Sequence, residues 1–219
     1  MLQVNKSNLL RQLIVVFIAW VLASISILVV DRPLAILIHQ NGLDSYLQLR
    51  KITEGMPVFI SVLAMLALIS YYWRKERKLL SFTAPVYFYL MLKLTMEIKT
   101  GLKIIFGRYW TKTWINNNLS LIHDNVYGFN WLHGFGNQGS FPSGHSTYVV
   151  FCAMWLSYIY PKLAYIWFLL ALLCITCLIV LDYHFLGDCF AGIGLGMLCA
   201  VISLAIWQRI AISHTITNK

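Results

Sequence analysis

Six apolar runs divide the chain: about Leu13 to Val30, Met56 to Trp73, Leu79 to Ile98, Gly144 to Tyr160, Leu163 to Leu181 and Cys189 to Trp207. Each is close to the ~20 residues that a helix needs to cross hydrocarbon. With 59% apolar and only 11% charged residues among 219, the chain lies outside the soluble globular range. The pattern predicts an all-α protein, a six-transmembrane helical bundle forming a single membrane-embedded domain over 1–219. No low-complexity linker or internal repeat interrupts it.

Six crossings put both termini on one side. The basic turn Arg74-Lys75-Glu76-Arg77-Lys78, with Lys6, Arg11, Lys162 and Arg209, assigns that side to the cytoplasm by the positive-inside rule. The N-terminal run superficially resembles a secretory signal. No small-residue cleavage site precedes Asp31-Arg32-Pro33, however, so an uncleaved first span is expected. The net charge of +9 is scattered over loops and does not form a soluble basic face, which excludes nucleic acid as a partner. Cys152, Cys174, Cys177, Cys189 and Cys199 all fall inside apolar runs, where they read as small hydrophobes and not as a disulfide framework or a redox pair.

Two outward loops remain. Asp31 to Gly55 carries Leu34, Leu37, Ile38, Leu43, Tyr46 and Leu47 at helical intervals, which predicts an interfacial helix. The second, from about Lys99 to Ser143, is long and rich in Trp, Tyr, Asn and Gly, a composition that points to function and not to disorder. Asn118-Leu119-Ser120 fits a glycosylation acceptor but arises often by chance. Trp20, Trp73, Trp155, Trp167 and Trp207 read as interface anchors or packing. Lys93 and Glu97, four apart in the third run, read as a buried structural pair.

This topology gathers the chemically capable residues on the outward face. Lys99, Lys103 and Arg108 end the third run, Ser143 starts the fourth, and His184 follows the fifth. Pro142-Ser143 suits a capped helix start, whose free N–H groups and positive dipole end favour an anion; Gly144 lets the backbone approach it. His184 and Asp188, four apart, reach each other if they share the first turn of the last helix. A carboxylate on one ring nitrogen fixes the tautomer and directs the other nitrogen outward as nucleophile or base. His145 is then free to act as an acid, while Lys103 and Arg108 supply positive charge for a phosphoryl group. Asp182 places a negative charge near His184. Ser143 and His145 are too close in sequence at a helix start to face each other as a serine nucleophile and its base. Two histidines and an aspartate make a candidate metal triad, but the basic flank opposes a cation.

At these residues the chain resembles the type 2 phosphatidic acid phosphatase superfamily of membrane lipid phosphatases. The second motif of that family is matched at Ser143-Gly144-His145 after Pro142, the third at His184 and Asp188, with Ala191-Gly192 following. The resemblance implies His184 as the nucleophile of a phosphohistidine, Asp188 as its orienter and His145 as general acid. It also implies that Lys103, Ser143 and the Gly144 amide hold the phosphate, with no metal and no cofactor. The family pattern has arginine and proline seven and eight positions after the lysine, and serine and arginine seven and six before the last histidine. Here those places hold Trp110, Thr111, Cys177 and Leu178. Arg108 is the nearest substitute for the first arginine, with Lys112, Lys99 or an outward-loop residue to compensate for the missing one.

The expected activity is hydrolysis of a lipid phosphomonoester or an isoprenyl or other lipid pyrophosphate at the outer face. The alternatives are a headgroup phosphotransferase on the same scaffold and a non-enzymatic lipid-binding or transport protein. The expected partners are a phosphorylated lipid substrate and membrane lipids, and the expected location is a bacterial inner membrane with the site facing the periplasm or exterior.

Overall fold

The computed structural model describes residues 6–114, 117–137 and 139–216. The chain termini lie outside these residues. Helix α1 (Lys6–Ile25) runs through a π-helical turn, Ser26–Val30, into α2 (Asp31–Gln40). Then come α3 (Leu47–Arg74), α4 (Lys78–Phe106), a four-residue α5 (Leu121–Asp124), α6 (Gly144–Ile159), α7 (Ala164–Val180) and α8 (Leu186–Ile216). Strand-like pairing among the described residues is confined to two isolated bridges, Arg108 with Phe129 and Trp110 with Ser120.

Five helical stretches among the described residues are long and apolar enough to cross a membrane: Leu9–Gln40, Gln48–Arg74, Lys78–Phe106, Pro161–Val180 and Leu186–Ile212. Their outer faces are apolar, as Phe17, Leu28, Val58, Phe82 and Leu169 illustrate, each well exposed. Such faces suit lipid and not water. The fourth expected crossing is α6, a shorter helix enclosed by α3, α4, α7 and α8. Residues Val149 to Leu156 on it are all buried, whichever way they point. A helix apolar all round belongs at the centre of a bundle.

Close approach of α8 to α6 depends on small residues. A Cβ on Gly192 would lie 2.6 Å from the Ser143 carbonyl oxygen and 2.8 Å from Ser146 Cβ, and one on Gly196 would lie 2.5 Å from the Thr147 oxygen. Glycines four apart thus form the seam, a common arrangement where helices pack in membranes. Towards the far end of the bundle from His145, Trp207 donates to the Tyr72 hydroxyl at 2.7 Å and packs against Tyr87 and Trp155.

Four expectations are corrected. The outward loop expected from Asp31 does not begin there: helix continues through Asp31-Arg32-Pro33 by way of the π-helical turn. The expected interfacial helix is therefore a continuation of the first span, and Leu47 already belongs to α3. Lys93 and Glu97 are both exposed on α4 and form no buried pair, because Leu92 and Thr95 occupy its inward face. Asn118 is buried, its amide donating to the Lys112 carbonyl and accepting from the Trp114 N–H, which leaves it unsuited to glycosylation.

Candidate active site

Two helix starts build the site. Ser143 is the N-cap of α6, and its hydroxyl accepts from the N–H of Ser146 at 3.3 Å. At α8, Asp188 stands in the third helical position and reaches back to accept from the N–H of Phe185 at 3.3 Å, as in one half of a capping box. Asp31 comes across from α2 and accepts from the N–H of Gly187 at 2.8 Å. Two carboxylates thus satisfy N–H groups that a helix start leaves unpaired and complement its dipole.

His184 lies in the turn before α8, two residues ahead of the helix, and not inside its first turn. It still reaches Asp188: His184 Nδ1 is 3.3 Å from Asp188 Oδ2. An ionised carboxylate only accepts, so Nδ1 carries the hydrogen and Nε2 keeps the lone pair. The ring leans on Trp110, with centroids 5.1 Å apart. Burial lowers the imidazole pKa below its ordinary value, the Asp188 hydrogen bond opposes this in part, and nearby Lys103 and Arg108 add to the lowering. The neutral form therefore dominates at neutral pH, and it is the nucleophilic one.

A cavity of about 290 Å³ opens beside this ring. Lys99, Lys103 and Met96 of α4 line one side, Gly144, His145 and Tyr148 of α6 another. Trp110, Tyr183 and His184 close the inner wall, and Glu54 and Pro57 of α3 complete the rim. Lys103 is buried, with its Nζ 4.6 Å from the centre of the Trp110 ring, while His145 packs edge-on against Tyr183 at 5.6 Å. Gly107 ends α4 in the left-handed conformation, at φ 52°, and turns the chain so that Trp110 can reach this wall.

Of the residues expected in the site, the structure brings His184, His145, Lys103 and Gly144 together around the cavity, with Lys99 beside them. Asp188 stands behind His184.

Arg108 does not line the cavity. Its guanidinium, with no exposed surface, donates to Asp188 Oδ1 at 2.5 Å, to Asp31 Oδ2 at 2.7 Å and to the Tyr127 hydroxyl at 3.1 Å. Two buried carboxylates require a cation, and Arg108 supplies it. Burial disfavours that charge, but Asp188 and Asp31 more than offset it and hold the guanidinium pKa above its ordinary value. Ser143 is also turned away from the cavity, because its hydroxyl is engaged by Ser146 at the head of α6. Lys112 is drawn off to Asp44 at 2.6 Å, where His39 also binds. Asp182 lies behind His184 and does not line the cavity. Burial and the neighbouring Asp44 push its carboxyl up to about 7, so much of its charge is suppressed.

Sequence reasoning missed Asp31, Glu54 and Tyr183, and expected Arg108 at the phosphate, counting Trp110 in its place against a phosphatase. Only Asp31 carried a usable signal: a carboxylate at the edge of an apolar run needs a partner.

The fold and the site together define a helical membrane protein with a buried histidine–aspartate pair facing a lysine-lined cavity. The chain belongs to the PAP2 superfamily, whose family model matches residues 84–211, more than half of it, from α4 through most of α8. A lipid A 1-phosphatase of Helicobacter pylori is 42% identical over 67 residues, which are 30% of this chain and 35% of that protein. The match thus spans about a third of the relative's length. No solved structure matches the chain.

Proposed function

We infer that this protein is a membrane lipid phosphatase working through a phosphohistidine on His184. The observation that carries the reading is a buried His184 whose Nδ1 meets Asp188 at 3.3 Å while its ring forms the wall of a cavity lined by Lys99, Lys103 and His145. Family membership and the partial likeness to a lipid A 1-phosphatase support a phosphorylated lipid as substrate.

In the first step the Nε2 lone pair of His184 attacks phosphorus. The bond from phosphorus to the lipid oxygen breaks, and His145 protonates that oxygen as it leaves. Asp188 stabilises the positive charge that develops on the His184 ring, and Arg108 keeps Asp188 ionised and fixed in place. Lys99, Lys103 and the Gly144 N–H stabilise the equatorial oxygens. Water then attacks the phosphohistidine and gives a proton to His145, the P–N bond breaks, and inorganic phosphate leaves.

Six crossings, with α6 as the enclosed one, put the cavity at the end of the bundle opposite the basic Arg74 to Lys78 turn. The positive-inside rule then supports an outward-facing site, the periplasmic or exterior face of a bacterial inner membrane, with both termini cytoplasmic.

The test is phosphate release by purified protein from phosphatidate, an isoprenyl pyrophosphate and a phosphorylated glycolipid, with His184→Ala as control. Release from at least one, lost in the variant, is expected. Folded protein that releases phosphate from none of them overturns the reading.

A further inference from the structure

A phosphate cavity needs donors and cations, yet one wall here presents a carboxylate. Glu54 lines the cavity from α3, opposite the lysines of α4. It is oriented there: Arg50, one turn earlier, donates from Nε to Glu54 Oε1 at 2.8 Å. Arg50 is itself seated on aromatic rings, 4.7 Å from the centre of Trp114 and 5.9 Å from that of Tyr183, and those two rings stack at 5.0 Å. Tyr183 is a wall residue of the same cavity. The Glu54 side chain is 43% exposed, so it accepts further hydrogen bonds without first being uncovered.

Paired with Arg50, this carboxylate adds little net charge to the cavity, but it accepts from hydroxyl or ammonium groups carried beside a phosphate. An isoprenyl pyrophosphate offers no such donors. Phosphatidate offers none either, because its other glycerol oxygens are esterified. A phosphorylated sugar offers several on adjacent carbons. Resting on the phosphatase reading above, we propose that Glu54, held by Arg50, is a specificity-determining residue that selects lipids whose phosphate sits on a sugar headgroup bearing free hydroxyl or amino groups.

The experiment compares wild type with Glu54→Gln and Glu54→Ala on a phosphorylated glycolipid and on an isoprenyl pyrophosphate, measuring phosphate release. Wild type is expected to favour the glycolipid. Glu54→Ala should raise KM for the glycolipid on the order of tenfold or more, as loss of a hydrogen bond to a charged acceptor does, with kcat little changed. Glu54→Gln should do so less, since its amide still accepts. In both variants the ratio of kcat/KM on the glycolipid to that on the isoprenyl pyrophosphate should fall, and unfolding midpoints equal to that of wild type show an intact fold. Equal changes on both substrates, or no change on either, overturn the assignment of Glu54 while leaving the phosphatase reading in place. Wild-type protein inactive on both substrates and on phosphatidate overturns the two together.

Discussion

Arg108 Nη1 lies 2.5 Å from Asp188 Oδ1, and the other oxygen of the same carboxylate faces His184 Nδ1 at 3.3 Å. A basic residue close to Lys103 in sequence thus acts one layer behind the histidine. Asp31 binds the other arm of the guanidinium, so one cation stands between two fully buried anions.

Replacing Arg108 by Ala leaves both carboxylates without that cation. Breaking such a buried arrangement costs about 3–5 kcal/mol. The variant should unfold much more readily in detergent and lose activity. Combining Arg108→Ala with Asp31→Asn removes one orphaned charge and should restore part of the stability. Thermal unfolding of the three proteins checks this. A stable Arg108→Ala protein with raised KM alone would place Arg108 on the substrate instead.

Asp188→Asn keeps the shape of the side chain but no longer fixes the His184 tautomer by an anion. Its amide oxygen can still accept from Nδ1–H, while stabilisation of the developing ring charge is lost. A fall in kcat on the order of 10²–10⁴-fold is expected, the range supplied by acid–base assistance. Acid-labile label trapped from a ³²P-labelled lipid should diminish in Asp188→Asn and vanish in His184→Ala.

The acid limb of the pH profile should lie below the ordinary histidine pKa of 6.5, because burial lowers that of His184. A histidine with a lowered folded pKa contributes stability that is present above the unfolded value and lost as pH falls through the folded one. Stability should therefore start to fall below pH 6.5, while activity holds until the lower folded pKa is reached. Titration of kcat/KM beside unfolding midpoints checks this order, and an acid limb centred above pH 6.5 contradicts it.

Much of this was legible because it is local. Helix starts at Ser143 and near Asp188, and the four-residue spacing of His184 and Asp188, are written into short stretches of sequence. The five long apolar spans follow from composition alone. Arg108 was misplaced because its second partner, Asp31, is 77 residues away in a segment that reads as a polar break and folds as a helix. Nothing periodic links two such positions. Glu54, Trp110 and Tyr183 share a cavity only because three helices and two connecting segments converge there, which no single segment encodes.

Asp182 offers a pH dependence of opposite sign. It is buried, its backbone has φ 51°, and one oxygen, Oδ2, has no hydrogen-bond partner. Its carboxyl is raised from 3.8 to about 7 by burial first and by Asp44 next, with His39 and Lys112 opposing. A raised carboxyl pKa contributes stability that is full below the unfolded value and lost as pH rises through the folded one. Asp182 should thus weaken the fold increasingly between about pH 4 and 7. Asn tolerates the left-handed backbone and carries no charge, so Asp182→Asn isolates the effect. The variant should be more stable than wild type at pH 8, on the order of 1–3 kcal/mol, and nearly equal to it at pH 4. Unfolding midpoints at the two pH values decide this, and a variant equally destabilised at both would show that the side chain is needed for its contacts.

Gly192 tests the link from helix packing to chemistry. A Cβ there would meet the Ser143 oxygen at 2.6 Å and Ser146 Cβ at 2.8 Å, and neither is the free end of a flexible chain. Gly192→Ala must therefore push α8 away from the head of α6. Overpacking of this kind costs about 1–3 kcal/mol. The same shift separates His184 and Asp188, carried by the start of α8, from Gly144 and His145 on α6. A displacement near 1 Å at reacting groups can cost on the order of 10²-fold in rate. Gly192→Ala should therefore lose more in kcat than in KM, although Gly192 does not line the cavity. Gly55→Ala is the control, because a Cβ there meets nothing within 4 Å. Full activity in Gly192→Ala would mean that the two helix starts keep their alignment by some means other than the glycine seam.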